Sequence, residues 1–167
     1  NIDLVFIAHG TLPNQNDIQN DEKDILNTIN TNAISVINLL TIIARDFENK
    51  KQGHIAIISS VAADRGRESN YIYGSSKAMI TVFAEGLGQR LKKSNIDLTI
   101  IKPGIIDTPM TSKLKKNFLW SNPNKIASKI IKAIEKKRSE VYVPSFWFII
   151  MLIIKFIPSF IFKKLKF

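Results

Sequence analysis

Three short runs of almost continuous apolar residues constrain the fold of this chain more than any other feature. They are IDLVFIA at 2–8, HIAIISS at 54–60 and DLTIIK at 97–102. A strand with one face in solvent alternates apolar and polar residues, whereas a strand covered on both faces is apolar nearly throughout. The three runs therefore predict buried strands of a parallel sheet.

Long helical patterns separate these runs. One extends over about 23–48 and another over 73–92, and a third, at 124–137, carries exposed lysines. A short helix is expected around 111–117, and 140–143 reads as a short last strand. Strands that alternate with helices indicate a three-layer, doubly wound α/β domain of the Rossmann-like type.

Composition narrows the classes of protein further. A length of 167 residues suits one domain with a buried core, and 45% hydrophobic residues argue against a disordered chain. The sequence contains no cysteine, which excludes disulfides, thiolate metal sites and cysteine nucleophiles. No metal site is predicted, since nothing near His9 makes it a ligand; we expect His9 to be structural or to line a pocket.

Polar residues with catalytic potential lie where the predicted strands end, which is where open parallel sheets bind ligands. Tyr73 and Lys77 are four residues apart and share one face of a predicted helix. A nearby ammonium lowers the pKa of a phenol from about 10, and such a tyrosine can protonate a carbonyl or deprotonate an alcohol. Ser60 ends the second strand and can hydrogen-bond the same substrate oxygen. Tyr71 is the competing phenol, but Ser75 occupies the position four residues after it.

Asn32 is a polar residue inside the first long helical pattern, where a buried amide needs a partner. Plainer interpretations remain open for each candidate: a helix-surface pair for Tyr73 and Lys77, a strand-end hydroxyl for Ser60 and a buried polar side chain for Asn32. Ser59 points to the other face by alternation and is predicted to be structural.

The loop after Ser60 contains Asp64, Arg65 and Arg67. Charged residues in a loop are most simply solvated, and we expect that here. For Asp107, beside Thr108, capping of the helix that follows it is the plainer interpretation.

Four motifs that contain the candidate residues resemble those of the short-chain dehydrogenase/reductase family. They are TNAISV at 31–36, ISS at 58–60, YGSSK at 73–77 and PGIIDT at 103–108. The resemblance covers about 1–143. It implies that Tyr73 is the general acid/base, that Ser60 orients the carbonyl, that Lys77 lowers the Tyr73 pKa and holds the nicotinamide ribose, and that Asn32 supports a water relay.

The same resemblance implies a nicotinamide cofactor, NAD or NADP. The residues expected to contact it are Gly10, Tyr73, Lys77, Pro103, Gly104, Ile106 and Thr108. The reaction implied is reduction of a carbonyl or oxidation of an alcohol by hydride transfer. An epimerase or dehydratase with the same Tyr-x-x-x-Lys motif, and a non-catalytic membrane-binding remnant, are the alternatives.

The sequence departs from the family pattern at its start. The glycine-rich turn G-x-x-x-G-x-G is not found, and the run at 2–8 resembles the family's fourth strand. Three strand–helix units, roughly 80 residues, are therefore expected to precede it, with the phosphate cradle and the residue that selects NAD or NADP. We expect this chain, as an N-terminally truncated domain, to bind the cofactor weakly and to be inactive on its own.

Two further segments, AHGTLPNQ at 8–15 and SNYIYGSSK at 69–77, resemble one branch of the family. That branch reduces the 2-keto sugar of a polyprenyl-phosphate-linked pentose during its epimerisation. The resemblance implies a hydrophobic or lipid-linked substrate.

Positive charge is concentrated at the C-terminal end. Residues 113–167 carry 13 Lys/Arg and two acidic residues, against 11 and 12 in residues 1–112. The stretch 141–154 has no charge over 14 residues, and Lys155 separates it from a second apolar run at 156–162. A spanning helix needs about 20 apolar residues. We therefore expect 144–167 to be a tail that lies in a membrane interface.

Within this tail, aromatic residues suit the headgroup region and lysines suit anionic lipid. The residues concerned are Phe146, Trp147, Phe148, Lys163, Lys164 and Lys166. We expect a peripheral or monotopic protein at the cytoplasmic face of a membrane. Nucleic acid is disfavoured because no binding motif accompanies the charge. A homo-oligomer is left open, with the tail as a buried dimer element as the alternative.

Overall fold

Four parallel strands form one sheet in the computed structural model, which describes residues 2–112 and 115–165. Their order in the sheet follows the chain, and each neighbouring pair is parallel. The strands are β1 (Leu4–Ile7), β2 (His54–Ile58), β3 (Asp97–Pro103) and β4 (Glu140–Val143). The predicted parallel α/β fold is confirmed.

Helices cover both faces of this sheet. On one face, α2 and α3 pack around Leu40, Ile57 and Ile80; on the other, α4 packs around Ala56, Ile101 and Ile126. This is the predicted three-layer arrangement. The helices are α1 (Gln15–Ile18), α2 (Glu22–Lys50), α3 (Tyr71–Lys92), α4 (Pro123–Glu135), α5 (Phe146–Phe156) and α6 (Ser159–Phe162).

The apolar run at 2–8 predicts that β1 is buried on both faces, but in the structure one of its faces is open. Val5 and Ile7 pack into the core beneath α2, but Leu4 and Phe6 are 44% and 45% exposed. The prediction was wrong because α4 packs against β3 and β4 and leaves the same face of β1 uncovered. Within the described part of the chain, β1 is therefore an edge strand with one open face.

α2 contains one turn of π-helix, Asn30–Ile34, that the sequence pattern does not indicate. The helix starts at Glu22 because the Asp21 carboxylate accepts a hydrogen bond from the Lys23 N–H (2.8 Å). A π turn widens an α-helix locally and is frequent at functional sites. Asn32 lies in this turn.

By length and composition alone, α2 is the one helix of the described residues that is long and apolar enough to cross a membrane. Its residues Val36, Leu40, Ala44 and Phe47 are buried in the core. This packing is that of a helix that covers a sheet.

Two predicted helix boundaries differ from the structure. α3 begins at Tyr71 and not at Tyr73, because the Gln15 side chain accepts a hydrogen bond from the Ile72 N–H (3.1 Å). Of the helix expected around 111–117, residues 113–114 lie outside the described residues, and the structure has a short 3-10 turn at Pro109–Thr111. The Thr111 hydroxyl donates to the Ile106 carbonyl and stabilises that turn.

The C-terminal helices pack on the domain. Trp147, Met151 and Ile154 on one side of α5 are buried in a cluster with Val61 and Tyr142. Because Val61 directly follows Ser60, this contact holds the tail beside the end of β2.

Candidate active site

Ser60 lies two residues beyond the end of β2 and is 9% exposed. Its hydroxyl oxygen accepts a hydrogen bond from the Ala62 N–H (3.1 Å), which caps the short 3-10 turn Val61–Ala63. A hydroxyl has one donor and two acceptor positions, so the bond from Ala62 leaves the Ser60 proton available to the neighbouring Tyr73 phenol or to a ligand.

Tyr73 lies two residues into α3 and interacts with Ser60. Burial raises the pKa of its phenol, and interaction with the Ser60 side chain lowers it in part. The net direction is upward, opposite to the lowering that Lys77 was expected to cause. The ammonium of Lys77 is 5.9 Å from the ring centroid, and burial outweighs any such effect. The phenol is therefore protonated at neutral pH.

Lys77 is almost completely buried one turn further along α3, with 3% exposure. Its ammonium donates a hydrogen bond to the Ile58 carbonyl at the end of β2 (3.0 Å). Burial lowers the pKa of Lys77 to about 8. An ammonium has three donors, so two remain for the hydroxyl groups of a ligand.

Ser59 holds α3 against β2. Its hydroxyl bonds the Thr81 hydroxyl (2.6 Å) and donates to the Lys77 carbonyl (3.3 Å). These contacts agree with the structural role predicted for Ser59, and they fix the turn of helix that carries Lys77.

Asn32 is fully buried and binds both backbone groups of Thr11. Its Oδ1 accepts from the Thr11 N–H (2.7 Å), and its Nδ2 donates to the Thr11 carbonyl (2.8 Å). A Cβ atom on Gly10 would lie 3.0 Å from Asn32 Oδ1 and 3.3 Å from Lys77 Nζ. Glycine at this position thus lets the end of β1 approach both side chains.

The segment after β3 is held mainly by structural contacts. Pro103 is buried at the end of β3, and Ile106 packs beside the apolar cluster beneath α4. The Thr108 N–H donates to the Thr111 hydroxyl (3.2 Å), so Thr108 belongs to the turn that Thr111 closes. Asp107 does not cap this turn; it forms an ion pair with Lys116 (2.6 Å).

Trp147 lies against Gly104, a contact that the sequence does not reveal. A Cβ atom on Gly104 would lie 1.8 Å from Trp147 Nε1, so the indole requires glycine there. Among the described residues, Nε1 is a buried donor without a hydrogen-bond partner. The tail therefore contributes a residue to the carboxyl edge of β3.

Asp64 is not part of a solvated loop, as was expected. Its carboxylate accepts from Tyr142 Oη (2.6 Å) and from Lys102 Nζ (2.9 Å), and the side chains of Asp64 and Lys102 are 3% and 5% exposed. Burial lowers the pKa of Lys102, but its bond to Asp64 and the charges of Asp64 and Glu140 outweigh burial and raise it. This cluster links the loop after Ser60 to β3 and β4.

Tyr71 and His9, the other candidates, bind other side chains. The phenol of Tyr71 is directed to the Gln19 side chain (3.5 Å), while that of Tyr73 interacts with Ser60. His9 bonds the Ser35 hydroxyl (2.8 Å), which agrees with the structural role expected for it.

The sheet, with a serine, a tyrosine and a lysine brought together at its carboxyl edge, defines a Rossmann-like α/β protein of the dehydrogenase type. The sequence profile of the family described as short chain dehydrogenase matches residues 1–118. The chain therefore belongs to the short-chain dehydrogenase/reductase family.

Curated relatives are similar over nearly the whole chain. An uncharacterised oxidoreductase of Mycobacterium tuberculosis is 27% identical over 164 residues, covering 98% of this chain and 66% of the relative. A second, from Streptomyces coelicolor, is 26% identical, covering 98% and 65%. A 3-oxoacyl-[acyl-carrier-protein] reductase of Chlamydia trachomatis is 34% identical over 96 residues, covering 58% and 39%. The chain spans about two thirds of the length of the first two relatives.

Among solved structures, a short chain dehydrogenase from Burkholderia cenocepacia in complex with NADP has a TM-score of 0.76 to this chain. The two are 20% identical, and the match covers 84% of this chain and 59% of that one. This likeness confirms the Rossmann-like fold.

Proposed function

We propose that the protein is a nicotinamide-dependent oxidoreductase that reduces a carbonyl, or oxidises an alcohol, with Tyr73 as general acid/base. The observation that carries this proposal is the placement of Ser60, Tyr73 and Lys77 together at the end of β2. The raised pKa keeps the Tyr73 phenol protonated at neutral pH. Tyr73 then donates this proton to the carbonyl oxygen as the carbon is reduced.

The neighbouring residues orient the substrate, stabilise the phenolate and hold the backbone of the site. With substrate bound, Ser60 donates its hydroxyl proton to the same carbonyl oxygen and orients it. When Tyr73 has lost its proton, the ammonium of Lys77 stabilises the phenolate, because an opposite charge favours the ionised form. Asn32 holds the end of β1 beside Lys77 through Thr11. The water relay at Asn32 stays a prediction.

The residues of this chain fit the nicotinamide end of NAD or NADP. Lys77 has two unused donors for ribose hydroxyls, and the unpaired Nε1 donor of Trp147 beside Gly104 fits a polar group of a ligand. The cofactor supplies the hydride when it is bound. The presence of NADP in the Burkholderia cenocepacia structure supports this class of cofactor.

We propose a hydrophobic or lipid-linked carbonyl as the substrate. The apolar helix α5 packs beside the site through Trp147. This position supports a substrate whose hydrophobic part contacts α5. Within that class, the 2-keto sugar of a polyprenyl-phosphate-linked pentose is the particular candidate, on the resemblance of AHGTLPNQ and SNYIYGSSK.

A Ser60→Ala variant tests this function, in the protein at the full length that its own cell produces. The assay follows oxidation of NADH or NADPH with a long-chain ketone and with its short-chain analogue. We expect kcat to fall about 10² to 10³-fold, because one hydrogen bond to the reacting oxygen is lost. Ser75→Ala, at an exposed position between Tyr73 and Lys77, is the matched control and should keep its activity.

Two results would contradict the proposal. One is a Ser60→Ala variant with the turnover of Ser75→Ala. The other is wild-type protein that oxidises neither NADH nor NADPH with any carbonyl. Equal rates with the long and short ketones would remove only the hydrophobic substrate class.

A further inference from the structure

We propose that the outer side of the C-terminal helices docks on the anionic cytoplasmic leaflet of a membrane. Every residue of α5 except Lys155 is apolar, yet only one side of the helix is buried. The opposite side consists of Ile149, Leu152, Ile153 and Phe156, which are 60%, 43%, 61% and 78% exposed. Their spacing of three and four residues places them in one stripe along the helix. We call this stripe the docking face.

The short helix α6 adds to the docking face. Phe160 is 71% exposed and Ile161 is 42% exposed. A helix that is apolar all round is normally enclosed by protein or by lipid. The docking face is enclosed by neither in the described residues, so it requires a partner with an apolar layer.

The charge around this face identifies the partner. Residues 141–167 contain four lysines and no acidic residue. Lys155, Lys163 and Lys164 are exposed, and Lys166 lies outside the described residues. An anionic lipid surface complements these lysines and offers an apolar layer directly beneath its headgroups. A second copy of the chain would bring lysines against lysines, which disfavours the same face as a dimer contact.

The length of α5 sets its orientation. Its 11 residues make a helix about 16 Å long, whereas the hydrocarbon core is about 30 Å thick. The helix therefore lies along the membrane plane, with the docking face down and Trp147, Met151 and Ile154 directed to the protein.

Arg65 connects α5 and α6 to the loop that begins at Ser60. Its guanidinium donates to the carbonyls of Lys155 (3.2 Å) and Ile157 (2.6 Å) at the end of α5. It also lies 3.8 Å over the centroid of the Phe162 ring in α6. Docking thus places the Ser60 loop close to the lipid surface. The docking itself does not depend on the catalytic proposal.

Vesicle co-sedimentation of the full protein tests the docking face. Wild-type protein should bind vesicles of phosphatidylcholine mixed with phosphatidylglycerol, bind pure phosphatidylcholine poorly, and be released by salt. Ile153→Ser with Phe156→Ser should weaken binding at least 10-fold. Lys155→Gln, Lys163→Gln and Lys164→Gln together should weaken it on the order of 100-fold.

The matched control is Val82→Ser on α3, which removes an apolar side chain that is 68% exposed outside the docking face. It should bind vesicles as wild type does. Circular dichroism and thermal unfolding show whether each variant is folded. Turnover of a water-soluble carbonyl without vesicles should be unchanged in every docking variant, so failure of docking is separable from failure of catalysis.

The proposal is overturned by any of three results. Wild-type protein stays in solution with the mixed vesicles, or the docking variants still bind them as wild type does. Alternatively, the protein is a dimer in solution that Ile153→Ser with Phe156→Ser dissociates, which would identify a second copy as the occupant.

Discussion

The buried ammonium of Lys77 should destabilise the folded protein, so Lys77→Met is expected to stabilise it. Lys77 is 3% exposed, and within residues 2–112 and 115–165 its ammonium has one hydrogen bond, to the Ile58 carbonyl. Burial lowers its pKa from 10.5 to about 8. Methionine keeps an unbranched side chain in the same space and carries no charge.

The magnitude follows from that difference in pKa. A fall from 10.5 to about 8 corresponds to roughly 3 kcal/mol of unfavourable free energy for the folded state at neutral pH. The variant loses the hydrogen bond to Ile58, which costs about 1 kcal/mol. The net expectation is a gain of about 2 kcal/mol in the free energy of unfolding near pH 7.

The gain should also depend on pH. Because the folded pKa of Lys77 is depressed, its unfavourable contribution is absent above the unfolded value of 10.5, grows as the pH falls from there to about 8, and is complete below about 8. The advantage of Lys77→Met should therefore shrink by about 2 kcal/mol between about pH 7 and about pH 9.5. Tyrosines titrate in both proteins, so their effect cancels in the difference between the two free energies of unfolding.

Urea denaturation followed by circular dichroism at the two pH values measures both effects. Lys93→Met, at an exposed position directly after the last residue of α3, is the control and should change stability little at either pH. The reasoning is refuted if Lys77→Met destabilises the protein at neutral pH, or if its effect is the same at both pH values.

Two further substitutions test contacts around the site. Asp64→Ala leaves the buried Lys102 with only Glu140 and the Tyr142 hydroxyl without its acceptor, and should cost about 3 to 5 kcal/mol in urea denaturation. Adding Lys102→Met to Asp64→Ala should recover much of that loss in stability. A double variant whose loss equals the sum of the losses of the two single variants would contradict this account. Gly104→Ala places a Cβ atom 1.8 Å from Trp147 Nε1 and should cost about 1 to 3 kcal/mol. The same substitution in a Trp147→Ala background should cost far less; an equal cost would show that the indole is not the obstacle.

Local sequence patterns were sufficient for much of the fold. The last strand has the predicted bounds, Glu140–Val143. The apolar run at 54–60 contains β2, and the run at 97–102 covers all of β3 except its last residue, Pro103. These elements are determined by residues that are close in sequence. The spacing of Tyr73 and Lys77 likewise indicated a shared helix face, since helix geometry fixes it.

Contacts between residues far apart in sequence could not be predicted. Gln15 sets the start of α3 from 57 positions away, and Arg65 binds the end of α5 about 90 positions away. The uncovered face of β1 depends on which strands α4 covers, and the run at 2–8 holds no information about that. Tertiary packing decides each of these features.

The direction of the Tyr73 pKa could not be predicted for a related reason. The sequence places a lysine near the phenol but does not reveal how deeply either group is buried. In the structure, burial raises the Tyr73 pKa, and the same burial lowers the pKa of Lys77 to about 8.

Turnover of Tyr73→Phe tests the central claim most directly. The protein as made in its own cell is mixed with reduced nicotinamide and a carbonyl, and a single turnover is followed while cofactor affinity is measured separately. We predict a loss of about 10² to 10⁴-fold in the rate of carbonyl reduction with cofactor affinity little changed, since only the proton donor is removed. Tyr71→Phe, two residues earlier, should react as wild type does. Near-normal reduction by Tyr73→Phe, or an equal loss in Tyr71→Phe, would contradict the assignment of Tyr73 as the general acid.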